Sequence, residues 1–327
     1  MSSVDTESIE RLKADVVEAH GPWTAHNIHL GGDAYTIVKG LEGGNEFRLR
    51  RVVQIVSDVA PRALEELRVV DLGCLEGLFA IELARRGATV LGIEGREANI
   101  EKARFARTVL SLDQLELTQD DLRAFSAERY GEFDVVLCLG VLYHFEASAL
   151  FRFVGEVARA CTGFAVFESH VSLTPRERRL HGGRVYWGSA IEEPAGRGDH
   201  DPQTLWAGLG NPTSFMLTRA SLCNLLLDSG FTSVMECHAP VESETLPDWL
   251  TLVAFKGRPQ DLLSAPLLNR EALVTLPELS PGRAVVEHVR ARLHQRVYLR
   301  AINSRYYRIL KRLSPRAVRA RAKKLLR

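Results

Sequence analysis

Three carboxylates stand at the ends of three apolar runs: Asp71 in "LRVVDL", Glu94 in "TVLGIEG" and Asp121 after "LELTQ". A carboxylate accepts hydrogen bonds in pairs or holds a cation. Two histidines close two further runs, His144 in "LYHF" and His170 in "ESH", and Glu168 lies two residues before the second. Histidine moves protons near neutral pH. Gly73 and Gly77 punctuate "VVDLGCLEGLF", where they let the backbone approach a ligand closely.

These residues need a frame that brings run ends together. Apolar strands are expected at 67–72, 89–95, 115–119, 133–140 and 163–169, with helices at 77–87, 97–110, 121–129 and 147–160 between them. The strands are apolar along their length, as when helices cover both faces. That alternation predicts an α/β fold with a doubly wound parallel sheet, whose ligands sit beyond the carboxyl ends of the strands. Amphipathic helices are expected at 4–19 and 46–60, a further helix at 218–229, and an aromatic-rich loop at 20–40. Residues 171–212 read as irregular, and 231–240 with 248–257 as an antiparallel edge hairpin. The divisions expected are 1–62 (helices and lid), 63–260 (catalytic domain) and 261–327 (linker and basic amphipathic helices).

The turn at 71–77 spaces its glycines as Gly-x-x-x-Gly, so the GxGxxG pattern of nicotinamide sites is missing. Leu75 and Glu76 are expected at its mouth, a bulky group and a negative charge where phosphates would otherwise lie. A ligand without phosphates and with a positive centre suits that mouth better. Glu94 suits a ribose diol, and an acid after the third strand, Asp121 or Asp120, suits an adenine amino group.

At this point the pattern resembles the class I S-adenosylmethionine-dependent methyltransferases. "VVDLGCLEG" is similar to their first motif, "LGIEG" to the second, "TQDDL" to the adenine motif and "FDVVLCLGVLYHF" to the strand facing the methyl donor. The resemblance spans about 65–170 and departs at Leu75, where the family's DxGxGxG has its middle glycine. It implies S-adenosylmethionine as cofactor. Asp71 and Gly73 would line its methionine end, Glu94 its ribose, Asp121 with Asp120 as alternative its adenine, and Leu122 the ring. Leu139 and Gly140 would give backbone contacts under the sulfonium. No Lys and Arg set is evident there to grip a carboxylated cofactor, so the ordinary cofactor is expected.

An alcohol acceptor would need a base, and His144, His170 and Glu168 are the candidates. The expected reaction is O-methylation of a small-molecule or glycan hydroxyl. "NPTSFMLTRASLCNLLLDSGF" also resembles the branch holding the tRNA wobble-uridine carboxymethyltransferases, so a tRNA-modifying enzyme is one alternative. A methyltransferase-like binding module without turnover is the other. The loop at 20–40, with His20, His26, His29, Trp23 and Tyr35, is expected either to act as a lid or simply to pack on the sheet. Asp199, His200 and Asp201 have spacing too generic for a metal site, so no metal is expected.

The 327-residue chain has ordinary apolar content, no run able to span a bilayer and no apolar core in its first residues that would mark a secretory signal. Its five scattered cysteines favour reduced thiols and a cytoplasmic setting. The net charge of +1 is unevenly spread: Arg283–Arg327 holds fifteen Lys or Arg and one acid, a net +14, leaving −13 elsewhere. A basic amphipathic tail with tyrosines suits an anionic membrane surface at the inner face, with RNA, an acidic partner or a second copy of the chain as alternatives.

Overall fold

A computed structural model describes residues 6–38, 46–193, 205–238, 246–258 and 263–264. Helix α1 (Thr6–His20) leads into a short ribbon, β1 (His29–Gly31) and β2 (Ala34–Tyr35), and then α2 (Glu46–Val59). The alternating part follows: β3 (Arg68–Leu72), α3 (Leu78–Arg85), β4 (Thr89–Glu94), α4 (Glu97–Val109) and β5 (Leu115–Gln119). It continues through α5 (Ala127–Tyr130), β6 (Phe133–Leu139), α6 (Ala147–Ala160) and β7 (Cys161–His170). Beyond lie β8 (Glu177–His181), β9 (Arg184–Glu192), β10 (Thr213–Leu217), α7 (Arg219–Asp228), β11 (Ser233–Glu236) and β12 (Trp249–Phe255).

The main sheet has seven strands in the order β11-β12-β7-β6-β3-β4-β5. Strands β3 to β7 run parallel; β12 pairs antiparallel with β7, and β11 with β12. This is the expected doubly wound sheet with its antiparallel edge hairpin. One apolar layer joins the sheet to α6 and α7; the other joins it to α3 and α4. The strand order reverses between β3 and β6, where the crossovers change sides, so the ends of β3, β4 and β6 face one crevice.

Two expectations need correction. Residues 171–212 are not wholly irregular, because β8 and β9 within them form a separate antiparallel sheet with β10. The helix expected at 121–129 is two short turns, Leu122–Ala124 and α5. Asp121 caps the first by accepting from Arg123 N, and Ser126 caps the second by accepting from Arg129 N; each cap restarts the helix after one turn.

The segment before β3 belongs to the core. Ile9, Ile28, Leu30, Ala34 and Val52 are buried in the same apolar layer as α3 and α4. Trp23 tilts against Phe105 of α4 with ring centroids 5.6 Å apart. Among the described residues no helix is long and apolar enough to cross a membrane. The basic tail lies outside them, as does the Asp199, His200 and Asp201 loop.

Candidate active site

A continuous cleft runs along the ends of β3, β4 and β6. Its two lobes share Gly73, Leu75, Gly140, Val141, His144 and Trp206. The first lobe adds Glu94, Arg96, Asp121, Leu122 and Leu209; the second adds His26, Arg48, Asp71, Tyr143 and Trp249.

The floor is the turn after β3. Gly73 has φ +74, and a Cβ there would stand 2.7 Å from Val141 Cγ2. Its amide donates to Ile93 O at 2.8 Å, tying β3 to β4 at the mouth. Leu75 takes φ +51, a left-handed conformation that costs a side-chain-bearing residue about 1–2 kcal/mol. Its amide donates to Glu94 Oε2 at 3.1 Å, while Arg96 N donates to Glu94 Oε1 at 2.9 Å. Glu94 is thus fixed at the wall, and burial raises its pKa.

Glu76 is not at the mouth as expected. The left-handed step at Leu75 turns the next side chain inward, and Glu76 is fully buried. Its carboxylate accepts from Thr24 N at 2.7 Å, Ala25 N at 3.1 Å and His26 N at 2.8 Å. Lys102, also fully buried, pairs with it at 3.5 Å and donates to Pro22 O at 2.7 Å. The N-terminal segment is therefore bolted onto the turn. It is at once a packing element and a wall of the cleft.

Asp71 lies at the end of β3, 2 % exposed, and its Oδ2 has no partner. Burial is the main cause that raises its carboxyl to about 7. Arg48 of α2 enters the same lobe. It is ion-paired to Glu168 at 2.7 Å, with its guanidinium 5.1 Å from the Trp249 ring centre and 5.6 Å from that of Phe79. Arg48, Arg96 and Arg123 all line the cleft, contrary to the expectation of no arginine set. Each meets an acceptor: Glu168, the carbonyls of Ala207 and Gly208, and Asp121.

The three candidate bases separate. His144 lines both lobes, and its Nδ1 is 3.1 Å from Glu193 Oε1. Glu193 Oε2 also accepts from Gly208 N at 2.8 Å. Burial raises the Glu193 carboxyl, but the His144 and Gly208 bonds outweigh it and hold the carboxyl below its ordinary value. His170 lines neither lobe; its Nδ1 meets Asp248 at 2.9 Å, and its ring lies edge-on to Tyr143 at 5.0 Å. Glu168 is buried beneath the cleft, where it accepts from Arg48 Nε at 2.8 Å and Thr251 Oγ1 at 3.2 Å. Of the adenine candidates Asp121 and Leu122 line the first lobe, whereas Asp120 faces Tyr130 and Arg129.

A strap, residues 205–211, roofs the first lobe. Arg96 Nη2 donates to Ala207 O and Gly208 O at 3.1 Å each, and Asn99 Nδ2 to Leu205 O at 3.3 Å. Trp206 Nε1 donates to Thr24 Oγ1 at 3.1 Å, and Asn211 Nδ2 to His144 O at 3.0 Å.

Comparison with known proteins bears on this cleft. Residues 69–162, the span holding Asp71, Glu94, Asp121 and His144, match the methyltransferase domain family. The chain is 31% identical over 183 residues to the ubiquinone biosynthesis O-methyltransferase of Stutzerimonas stutzeri, covering 54% of this chain and 67% of that protein. The chain belongs to the class I S-adenosylmethionine-dependent methyltransferases. It is also 36% identical over 165 residues to the protein of that name from Methylocella silvestris, spanning 48% of this chain and 61% of the relative. With the Brucella ovis protein of that name it is 42% identical over 96 residues, 28% of this chain and 36% of the relative. The fold is shared with the N-terminal domain of EvdMO1, at a TM-score of 0.60 and 23% identity, over 79% of this chain and all of that one.

The cofactor of this methyltransferase is S-adenosylmethionine, and the second lobe fits its amino-acid end. The orphaned Asp71 oxygen calls for a cation, and Arg48 nearby offers a cation to an anion, the complement of a zwitterion. Glu193, Arg48 and the strap were missed by sequence reasoning. Glu193 follows a strand that had read as irregular. Arg48 is one of three arginines in "RLRR", with nothing in the run to say which one reaches the cleft. Among the described residues no group of three or more His, Cys, Asp or Glu could hold a metal.

Proposed function

We propose that this methyltransferase transfers a methyl group to a hydroxyl of a small molecule or glycan, with His144 as general base. The observation that carries the reading is the Glu193–His144 pair at the junction of the two lobes. Glu193 accepts a proton-bearing Nδ1, which leaves Nε2 of the neutral ring as an acceptor. A histidine held this way takes a proton from a hydroxyl near neutral pH.

Asp71 and Arg48 would hold the amino-acid end of the cofactor, Gly73, Leu139 and Gly140 would offer backbone, Glu94 would take the ribose, and Asp121 with Leu122 would flank the adenine. When bound, the cofactor supplies an electrophilic methyl on a sulfonium, whose sulfur keeps the electron pair of the broken carbon–sulfur bond. The acceptor oxygen would take that methyl, and His144 Nε2 would take the proton the oxygen gives up. The protein's part is alignment and proton removal. Tyr143, Trp206 and Trp249 wall the second lobe with rings that suit a flat or sugar-like acceptor.

Two likenesses support this reading: the O-methyltransferase names of the curated relatives, and the description of the EvdMO1 domain in the presence of SAH and D-fucose. The test is transfer of labelled methyl from S-adenosylmethionine to a panel of phenols, quinols and hexosides. Wild type should label a hydroxyl-bearing member. His144→Ala should still bind S-adenosylhomocysteine yet label nothing. Labelling by His144→Ala at the wild-type rate would remove the base assignment.

A further inference from the structure

We propose that His26 is a specificity-determining residue for the cofactor, its ring Nε2–H donating a hydrogen bond to the carboxylate of the amino-acid end. The inference rests on the cofactor placement given under Proposed function and adds a donor to it.

His26 is 4 % exposed and held from four sides. Its backbone N–H donates to Glu76 Oε2 at 2.8 Å, and its carbonyl accepts from Thr36 Oγ1 at 2.7 Å. Its ring Nδ1 accepts the N–H of Leu78, the first residue of α3, at 3.2 Å. The residue before that helix is Gly77, which has no side chain to cap it, so a histidine 52 positions earlier in the chain supplies the acceptor. Phe79 lies near-perpendicular to the ring, with centroids 5.9 Å apart.

A ring nitrogen that accepts carries no proton, so the proton of the neutral ring is on Nε2. Burial, aided by the Arg48 charge, lowers the pKa to about 3, so the ring stays neutral at any physiological pH. The site therefore holds one fixed donor of known position. Among the described residues none accepts from it, while the ring lines the lobe that also contains Asp71 and Arg48. Nε2 is not among the buried side-chain atoms that lack a partner, so it opens onto the lobe, where an oxygen of a bound molecule can accept from it.

The charge pattern says which oxygen. Asp71 has an unpaired oxygen for the ammonium. Arg48 brings positive charge that Glu168 partly cancels, so one guanidinium is an incomplete partner for a carboxylate. A carboxylate has room for several donors, and a neutral one adds a bond without adding charge. The pair Arg48 and His26 on one side, with Asp71 on the other, reads an α-amino acid by both of its ends.

The test is calorimetric titration of the full chain with S-adenosylhomocysteine and with 5′-methylthioadenosine, which lacks the amino-acid end. His26→Asn places an amide oxygen where Nδ1 accepts from Leu78 but has no donor at the Nε2 position. His26→Gln places an amide nitrogen near the Nε2 position and gives up the helix cap. His26→Asn should bind S-adenosylhomocysteine at least about tenfold more weakly, with 5′-methylthioadenosine binding and the melting midpoint close to wild type. His26→Gln should keep the affinity and melt at a lower temperature. The proposal is overturned if His26→Asn binds S-adenosylhomocysteine like wild type, or if it loses both ligands by the same factor. Wild type that binds neither ligand overturns the cofactor placement and this donor together.

Discussion

His144 Nδ1 and Glu193 Oε1 lie 3.1 Å apart, although 49 positions separate them in the chain. Glu193→Gln keeps the shape of the side chain and removes its charge. It should lower kcat on the order of tenfold to a hundredfold with little change in S-adenosylhomocysteine affinity, as steady-state kinetics and calorimetry would read. The pH sign is also set. Because the Glu193 carboxyl is held below its ordinary value of 4.5, its contribution to stability is present above that pH and lost as the pH falls through the lower folded value. Acid unfolding of Glu193→Gln should lack that component.

Asp71 makes cofactor binding pH-linked. Its carboxyl stands at about 7 in the free protein, raised chiefly by burial from 3.8. An ammonium beside it favours the charged form, so binding at pH 7 should release about half a proton per site. Calorimetry in buffers of different ionisation enthalpy measures this. In the free protein a raised pKa gives stability that is complete below 3.8 and lost as pH rises through about 7. Asp71→Asn should flatten that slope, abolish the proton release and weaken binding.

The Glu76–Lys102 pair is fully buried on both sides. Glu76→Ala should destabilise by about 3–5 kcal/mol, because it leaves Lys102 buried without its charge partner. The double variant Glu76→Ala with Lys102→Met should recover part of that loss in urea unfolding. Equal, additive losses would show that the two side chains act independently.

Gly77 has φ +88, and a Cβ there would lie 2.9 Å from Ala103 Cβ of α4. Gly77→Ala combines a left-handed penalty with an overlap between two helices. Thermal unfolding should show a loss of about 2–4 kcal/mol.

The basic run 283–327 is proposed to bind an anionic membrane surface, on its charge and amphipathic pattern. Deleting it should abolish co-sedimentation with phosphatidylglycerol vesicles and leave S-adenosylhomocysteine affinity unchanged. If deletion instead removes tRNA affinity and spares vesicle binding, the RNA alternative takes its place.

The parts of the fold legible in the sequence are those where one signal dominates. β6 and α6 fall within a residue of where their apolar runs place them, because a buried parallel strand and a strongly one-sided helix each leave an unbroken pattern. β8, with the sequence ERRLH, shows no such pattern: Leu180 is 73% exposed and the strand is half solvent-facing. With β8 and β9 unseen, Glu193 had no position to be read from. Glu76 misled for a local reason. Its direction depends on the φ of Leu75, and leucine gives no sign of a left-handed turn. That Asp71, Glu94 and Asp121 reach one cleft, by contrast, is readable from the sequence, because strand ends converge by topology alone.

The bolt between Glu76 and residues 24–26 also bears on how such chains diverge. Positions 24, 26, 76 and 102 meet at one buried carboxylate across gaps of 26 to 52 residues. A descendant that exchanged its first 45 residues for another wall would inherit a buried acid and a buried lysine with nothing to hold. These positions should therefore travel through evolution as one linkage group, changing together or not at all, while the acceptor-facing rings around them drift.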